Sequence, residues 1–232
     1  MTVLLWFKHL LSLFFPHVCQ ACGESLRKQE EVVCLSCLYK LPKTGFHMHA
    51  ENPVSRVFWG RVDLNAASSF LFFSKGGKVQ HLIHSLKYKG NQETGVYLGR
   101  LFGTDLQKSE LFENVDLVIP VPLHPKKQHK RGFNQSSSIA KGIGEAMEIP
   151  IVSNKLIRII NTSTQTKKSR ESRWDNVKNA FKVRETSSLE NKHILLVDDV
   201  LTTGATLESC AQNLLKIPGV RVSVATLAYA LA

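Results

Sequence analysis

His193-Ile-Leu-Leu-Val-Asp-Asp-Val-Leu-Thr-Thr-Gly-Ala-Thr206 decides how this chain folds. The apolar run Ile194 to Val197 has the unbroken hydrophobicity of a parallel strand covered on both faces. Two acids and a hydroxyl-rich turn with one glycine follow, and Leu207, Cys210, Ala211, Leu214 and Leu215 then recur at helical spacing. A strand, a tight turn and a helix start in that order cradle an anion, because the first N–H groups of a helix lack intrahelical partners and the dipole is positive there. Thr202, Thr203 and Thr206 add hydroxyl donors, and Gly204 allows a backbone approach that a Cβ would block. Asp198 and Asp199 would repel a bare phosphate, so they must face another part of the ligand, either sugar hydroxyls or a metal-bound group. The expected ligand is a sugar phosphate with free hydroxyls. The run has neither the spacing of a nucleotide P-loop nor the three-glycine dinucleotide fingerprint.

Outward from this run, strand and helix patterns alternate. Ala67 to Phe73 reads as a strand, Val79 to Tyr88 as a helix, and Asp116 to Pro122 as a strand that stops at proline. The last runs into a basic loop, His124 to Gln135, and then a helix with Ile139, Ala140, Ile143 and Met147 on one face. That strand end is expected beside the cradle, at the carboxyl edge of a parallel sheet where such folds bind ligands. Lys126, Lys127, Lys130 and Arg131 would repel one another unless an anion lies among them. A second basic segment, Gln165 to Asn176, lies between strand-like Leu156 to Ile160 and Ala180 to Arg184, and its length and polarity suit a lid or binding loop. Val220 to Ala230 reads as a final strand. The expected class is α/β, a mostly parallel sheet flanked by helices.

Cys19-Gln-Ala-Cys22 and Cys34-Leu-Ser-Cys37 are two Cys-x-x-Cys pairs across a short spacer. Each pair places two thiolates on one turn, and four cysteines complete a tetrahedral zinc shell with no position left for water, so the expected zinc is structural. Leu41 to about Pro53 has turn composition, which places the expected boundary between an N-terminal helix with its four-cysteine zinc module (1–52) and the larger domain (53–232). Cys210 falls on an apolar helix face and reads as a buried structural thiol.

With 232 residues, 43% of them hydrophobic and 21% charged, the chain is a globular protein with one sizeable core and a small appendage. A formal net charge of +11 favours polyanionic partners: nucleic acid, phosphorylated small molecules or an anionic membrane. The apolar stretch Val3 to Phe15 is interrupted by Lys8 and His9 and is too short to span a bilayer; it reads as a packed helix, and the chain as cytoplasmic.

The central run resembles the phosphoribosyl pyrophosphate (PRPP) signature of type I phosphoribosyltransferases. The resemblance implies that Asp198 and Asp199 bind the ribose hydroxyls and that Leu201, Thr202, Thr203, Gly204, Ala205 and Thr206 cradle the 5′-phosphate, with magnesium accompanying PRPP. With both Cys-x-x-Cys pairs, Leu86-Lys-Tyr-Lys-Gly90, Pro120-Val-Pro-Leu-His-Pro125, Arg131-Gly-Phe-Asn-Gln135, Gln165-Thr166, and Arg170 with Arg173 and Asn176, the chain is similar to the ComF/GntX family. That family joins a small zinc module to a phosphoribosyltransferase-like domain and is linked to DNA uptake in natural transformation. The implied partners are PRPP, single-stranded DNA and proteins of the uptake machinery such as a helicase-like translocase. Fixed cations stabilise a departing pyrophosphate, and Lys87, Arg131 and Arg170 are the candidates for that catalytic part. Phe133, Trp59 and Trp174 are candidates for stacking on bases. The alternative function is a phosphoribosyltransferase of nucleotide or salvage metabolism with a small-molecule acceptor.

Overall fold

A computed structural model of the chain describes residues 17–88, 91–160 and 180–230. In chain order the regular elements are α1 (Leu35–Tyr39), α2 (Pro53–Arg56), β1 (Ala66–Phe73), α3 (Lys78–Tyr88), α4 (Gln92–Leu106), β2 (Leu117–Pro120), α5 (Pro125–Arg131), α6 (Gln135–Met147), β3 (Leu156–Arg158), β4 (Phe181–Val183), β5 (His193–Leu201), α7 (Ala205–Leu214) and β6 (Arg221–Ala230). The apolar stretch before His17 and the second basic segment, Arg170 and Trp174 included, lie outside the described residues.

β1, β6, β5 and β2 lie side by side in that order, and each neighbouring pair is parallel. A parallel bridge from Val118 to Ile151 continues the sheet past β2. Successive side chains of a strand point to opposite faces, and β5 obeys this with both faces apolar. Leu195 and Val197 enter a core with Leu98, Phe102, Ile139 and Ile143, while Ile194 and Leu196 enter a second core with Leu207, Cys210 and Leu214. Helices therefore cover the sheet on both sides, as its hydrophobic run demands.

α4 and α6 pack backbone to backbone. A Cβ on Gly142 would lie 2.0 Å from the Val96 carbonyl oxygen, and one on Gly99 would lie 2.2 Å from that of Ile139. Both helices lead back from the carboxyl edge of the sheet, so their N-termini sit together at the edge where parallel sheets bind ligands. Asn91 and Asn134 cap them, accepting the Thr94 and Ser136 amides at 3.2 Å.

The cysteine-bearing segment docks on α3. The Ser85 hydroxyl donates to Gln20 Oε1 at 2.7 Å, and His81 Nδ1 lies 3.1 Å from the Ala21 carbonyl. Residues 42–44 run along β1: the Phe72 amide donates to Pro42 O at 2.8 Å and the Thr44 amide to Phe70 O at 3.0 Å, which covers an otherwise open strand edge.

One sequence expectation changes. The basic loop after β2 is largely helix: Pro125 occupies the first turn, His124 Nδ1 accepts the Lys126 amide at 3.2 Å, and Gly132 ends the helix in the left-handed region. Strand-like Leu156 to Ile160 does contain a strand, β3, which pairs antiparallel with β4 on the far side of the second basic segment, apart from the main sheet. Among the described residues no helix is long and apolar enough to cross a membrane.

Candidate functional site

β5 extends further than its apolar run. Its ladder with β6 continues through Asp198–Thr226, Val200–Ala228 and Leu201–Tyr229, so the two acids lie on the strand itself. Leu201 is buried in the core, which leaves only its backbone for the cradle. The turn is thus Thr202 to Gly204, with Gly204 at φ 77° as the N-cap of α7 and Ala205 and Thr206 in the first turn. Glycine is required here twice over: the conformation is left-handed, and a Cβ would meet Val57 Cγ1 at 2.7 Å and Phe58 Cε1 at 3.1 Å. Arg61 braces the turn from behind. Its Nη1 donates to Thr203 O at 3.1 Å and Val57 O at 2.8 Å, and its Nη2 pairs with Glu208 of α7.

The half-buried acids are held from both sides. The Ser136 hydroxyl, in the first turn of α6, donates to Asp198 Oδ1 at 2.8 Å, and the Asp199 amide donates to the same oxygen at 2.9 Å. Lys87, at the end of α3, places Nζ 2.7 Å from Asp199 Oδ2. Burial, and next the charge of Asp199, pushes Asp198 up to about 7 against the opposing pull of those donors and Lys87. Two adjacent carboxyls, one near its titration point, favour ligand hydroxyls or a cation over another anion.

Cations gather at the same sheet edge. β2 ends beside β5, as expected, with Pro120 opposite Val197, and Arg131 of α5 donates to Gln135 Oε1 at 2.7 Å. Arg158 joins them. Its guanidinium lies 5.2 Å from the Phe181 ring centroid, and its Nε donates to Ile160 O at 3.3 Å. Burial lowers the pKa of Lys127, and the charges of Arg158 and Arg131 lower it further, as expected of cations crowded together. Burial likewise lowers Arg158 itself, and nearby Asp198 is among the charges opposing that shift.

The structure thus brings Lys87 to the acid pair and Arg131 to the start of α6, while Arg170 lies outside the described residues. Sequence reasoning missed Ser136 and Arg158. Ser136 carries a usable signal, since the first turn of the helix after β2 must face the end of β5 in a parallel sheet. Arg158 carries none, because only the β3–β4 pairing explains its position. Phe133 is corrected: it is 8% exposed and packed in the core, so it offers no stacking face to a nucleic acid strand. Trp59 is 55% exposed, with the Arg56 guanidinium 5.7 Å from its ring centroid.

Cys19, Cys22, Cys34 and Cys37 form one cluster whose sulfurs all lie within 4.8 Å of one another. Cys22 and Cys34 Sγ are 3.9 Å apart, close to the ~3.8 Å that tetrahedral coordination with metal–sulfur bonds of about 2.3 Å requires. None of the four is in a disulfide. The Cys34 amide donates to Cys19 Sγ at 3.3 Å. Burial works against ionisation of Cys19, but this amide and those of Cys22 and Ala21 outweigh it and bring the thiol down to about 7. Burial, then the neighbouring Cys22 and Cys34 sulfurs, pushes Cys37 up to about 12. A cluster with one readily ionised thiol and three more converging on the same point suits a metal ion.

The phosphoribosyl transferase domain family matches residues 130–232. The DNA utilization protein YhgH of Shigella flexneri is 28% identical over 215 residues, covering 89% of this chain and 88% of that protein. Competence protein F of Haemophilus influenzae is 32% identical over 127 residues, 54% of this chain and 56% of its own length. Competence protein ComFC of Bacillus subtilis is 26% identical over 206 residues, 82% of this chain and 81% of its own.

Proposed function

For this chain, a member of the ComF family with a phosphoribosyltransferase domain, we propose a role in DNA uptake in which the domain binds PRPP with magnesium and the protein handles incoming single-stranded DNA. The carrying observation is the juxtaposition on β5 of paired acids, held by Ser136 and Lys87, with a left-handed glycine turn that opens a helix. In this reading Asp198 and Asp199 accept from the ribose 2′- and 3′-hydroxyls. Thr202, Thr203, Gly204 and the first amides of α7 take the 5′-phosphate. Lys87 exchanges its ion pair with Asp199 for the ligand, and Arg131, Lys127 and Arg158 face the pyrophosphate end. A bound magnesium ion would neutralise pyrophosphate charge. A structural zinc in the four-cysteine cluster fixes the N-terminal module, since all four ligands are thiols and no position remains for water.

The names of the relatives, DNA utilization and competence proteins, support the DNA role, as do the net charge of +11 and the exposed Trp59. Isothermal titration of the metal-loaded protein with PRPP, with and without magnesium, tests the cradle. Saturable binding that Asp199→Asn abolishes is expected, and equal binding by that variant would overturn the assignment of the diol. A fluorescent oligothymidylate tests the second part: its affinity should fall steeply with added salt, and no binding even in low salt would sink the nucleic-acid role. Pyrophosphate release with an added base or nucleoside, without oligonucleotide binding, would instead favour a metabolic phosphoribosyltransferase.

A further inference from the structure

A large concavity lies outside the cradle. It holds about 830 Å³ between the cysteine module, the first turns of α4 and the turn at Phe133 and Asn134. A second hollow of about 390 Å³ is walled by Val33, Leu35, Leu38 and Leu101. Both share Glu31, Tyr97 and Arg100, so they are two parts of one groove. Its floor is one face of α4. Glu93, Val96, Tyr97, Arg100, Leu101 and Thr104 recur at helical spacing on this side, while Gly95, Leu98, Gly99 and Phe102 are buried on the other. From Gln92 to Thr104 the helix rises roughly 18 Å, the length of about five or six residues of extended chain.

Acids outnumber bases along this groove, Glu30, Glu31 and Glu93 against Arg100 and Lys141, whereas the chain as a whole is basic. Arg100 and Lys141 both turn to Glu145, at 3.1 Å and 4.0 Å, and Glu30 accepts the Arg27 and Leu35 amides at 2.7 Å and 2.8 Å. Glu31 and Glu93 remain exposed on the rim, and among the described residues neither forms an ion pair. Glu31 lines both parts of the groove together with Tyr97, so that acid borders the floor along its length. In a protein of net charge +11, an acid-rimmed groove attracts cations and turns phosphates away. We infer that this groove binds an extended segment of a partner protein in which apolar and basic side chains alternate. Alternate residues of such a segment point in opposite directions, so the apolar ones enter between Leu38 and Leu101 while lysine or arginine reaches Glu31 and Glu93.

The test uses the full-length, metal-loaded protein and a fluorescein-labelled peptide of alternating lysine and leucine, read by anisotropy. Saturable binding is expected, and a peptide of alternating glutamate and leucine should not bind. Glu31→Lys with Glu93→Lys should weaken binding about tenfold, because both rim charges are reversed. Leu35→Ser should weaken it several-fold, and because Leu35 is 63% exposed the fold should not change. Unchanged affinity in the double variant, or equal binding of the acidic peptide, would each overturn the inference.

Discussion

Asp198 is expected to be a residue whose removal stabilises the protein. Its carboxyl, ordinarily at 3.8, is pushed up to about 7 by burial and the adjacent Asp199. Below pH 4 the folded and unfolded chains both hold the proton, and there is no penalty. Between pH 4 and 7 the unfolded chain ionises while the folded one keeps its proton, so stability falls as pH rises; above pH 7 the penalty is complete. At about 1.4 kcal/mol for each of roughly three pH units, the ionised group opposes folding by as much as about 4 kcal/mol. Asp198→Asn removes the charge and keeps an oxygen to accept from the Ser136 hydroxyl and the Asp199 amide. Urea unfolding of wild type and variant across this range should show no difference near pH 4. By pH 8 the variant should lead by a few kcal/mol, about 5–10 °C in Tm for a chain of this size. A gap that ignores pH, or a variant less stable at pH 8, would refute the reasoning. The same variant should lose PRPP affinity, as expected where a strained acid is kept for its ligand.

Gly142→Ala would press a Cβ to 2.0 Å from the Val96 carbonyl, forcing α4 from α6; a loss of about 3 kcal/mol or more is expected in thermal or urea unfolding. Gly204→Ala must hold a left-handed backbone at φ 77° against Val57 and Phe58. It should cost about 1–2 kcal/mol for conformation alone and weaken phosphate-dependent binding more than overall stability, as titration and melting together would reveal. Cys37→Ser should release the bound metal, measured by elemental analysis, and expose the N-terminal module to protease while the sheet persists. Full metal content in that variant would contradict the four-thiol site.

Much of the site was legible because its parts are contiguous. Asp198 through Thr206 occupy one strand end, one turn and one helix start, and local chemistry dictates each. The Cys-x-x-Cys pairs were legible for the same reason: four thiols at two short spacings have few other uses in a chain of this composition. The apolar run of β5 also announced a sheet covered on both faces, and the two cores confirm it. Its length was misjudged because backbone pairing with β6 carries the strand past the point where hydrophobicity stops.

What the chain alone could not decide is which distant residues meet. Ser136 reaches Asp198 because β2 lies beside β5, and Lys87 reaches Asp199 because α3 ends over the same edge. Arg158 enters the cluster only through a hairpin whose two strands lie far apart in the chain. Phe133, an aromatic among cations in sequence, turns inward and packs in the core beneath the sheet's helices, a place that only the assembled fold provides. Sequence determines the chemistry carried by each short segment, since propensity, capping and hydrophobic period act over a few residues. Tertiary structure decides the partners, since packing density and sheet order act across the whole chain.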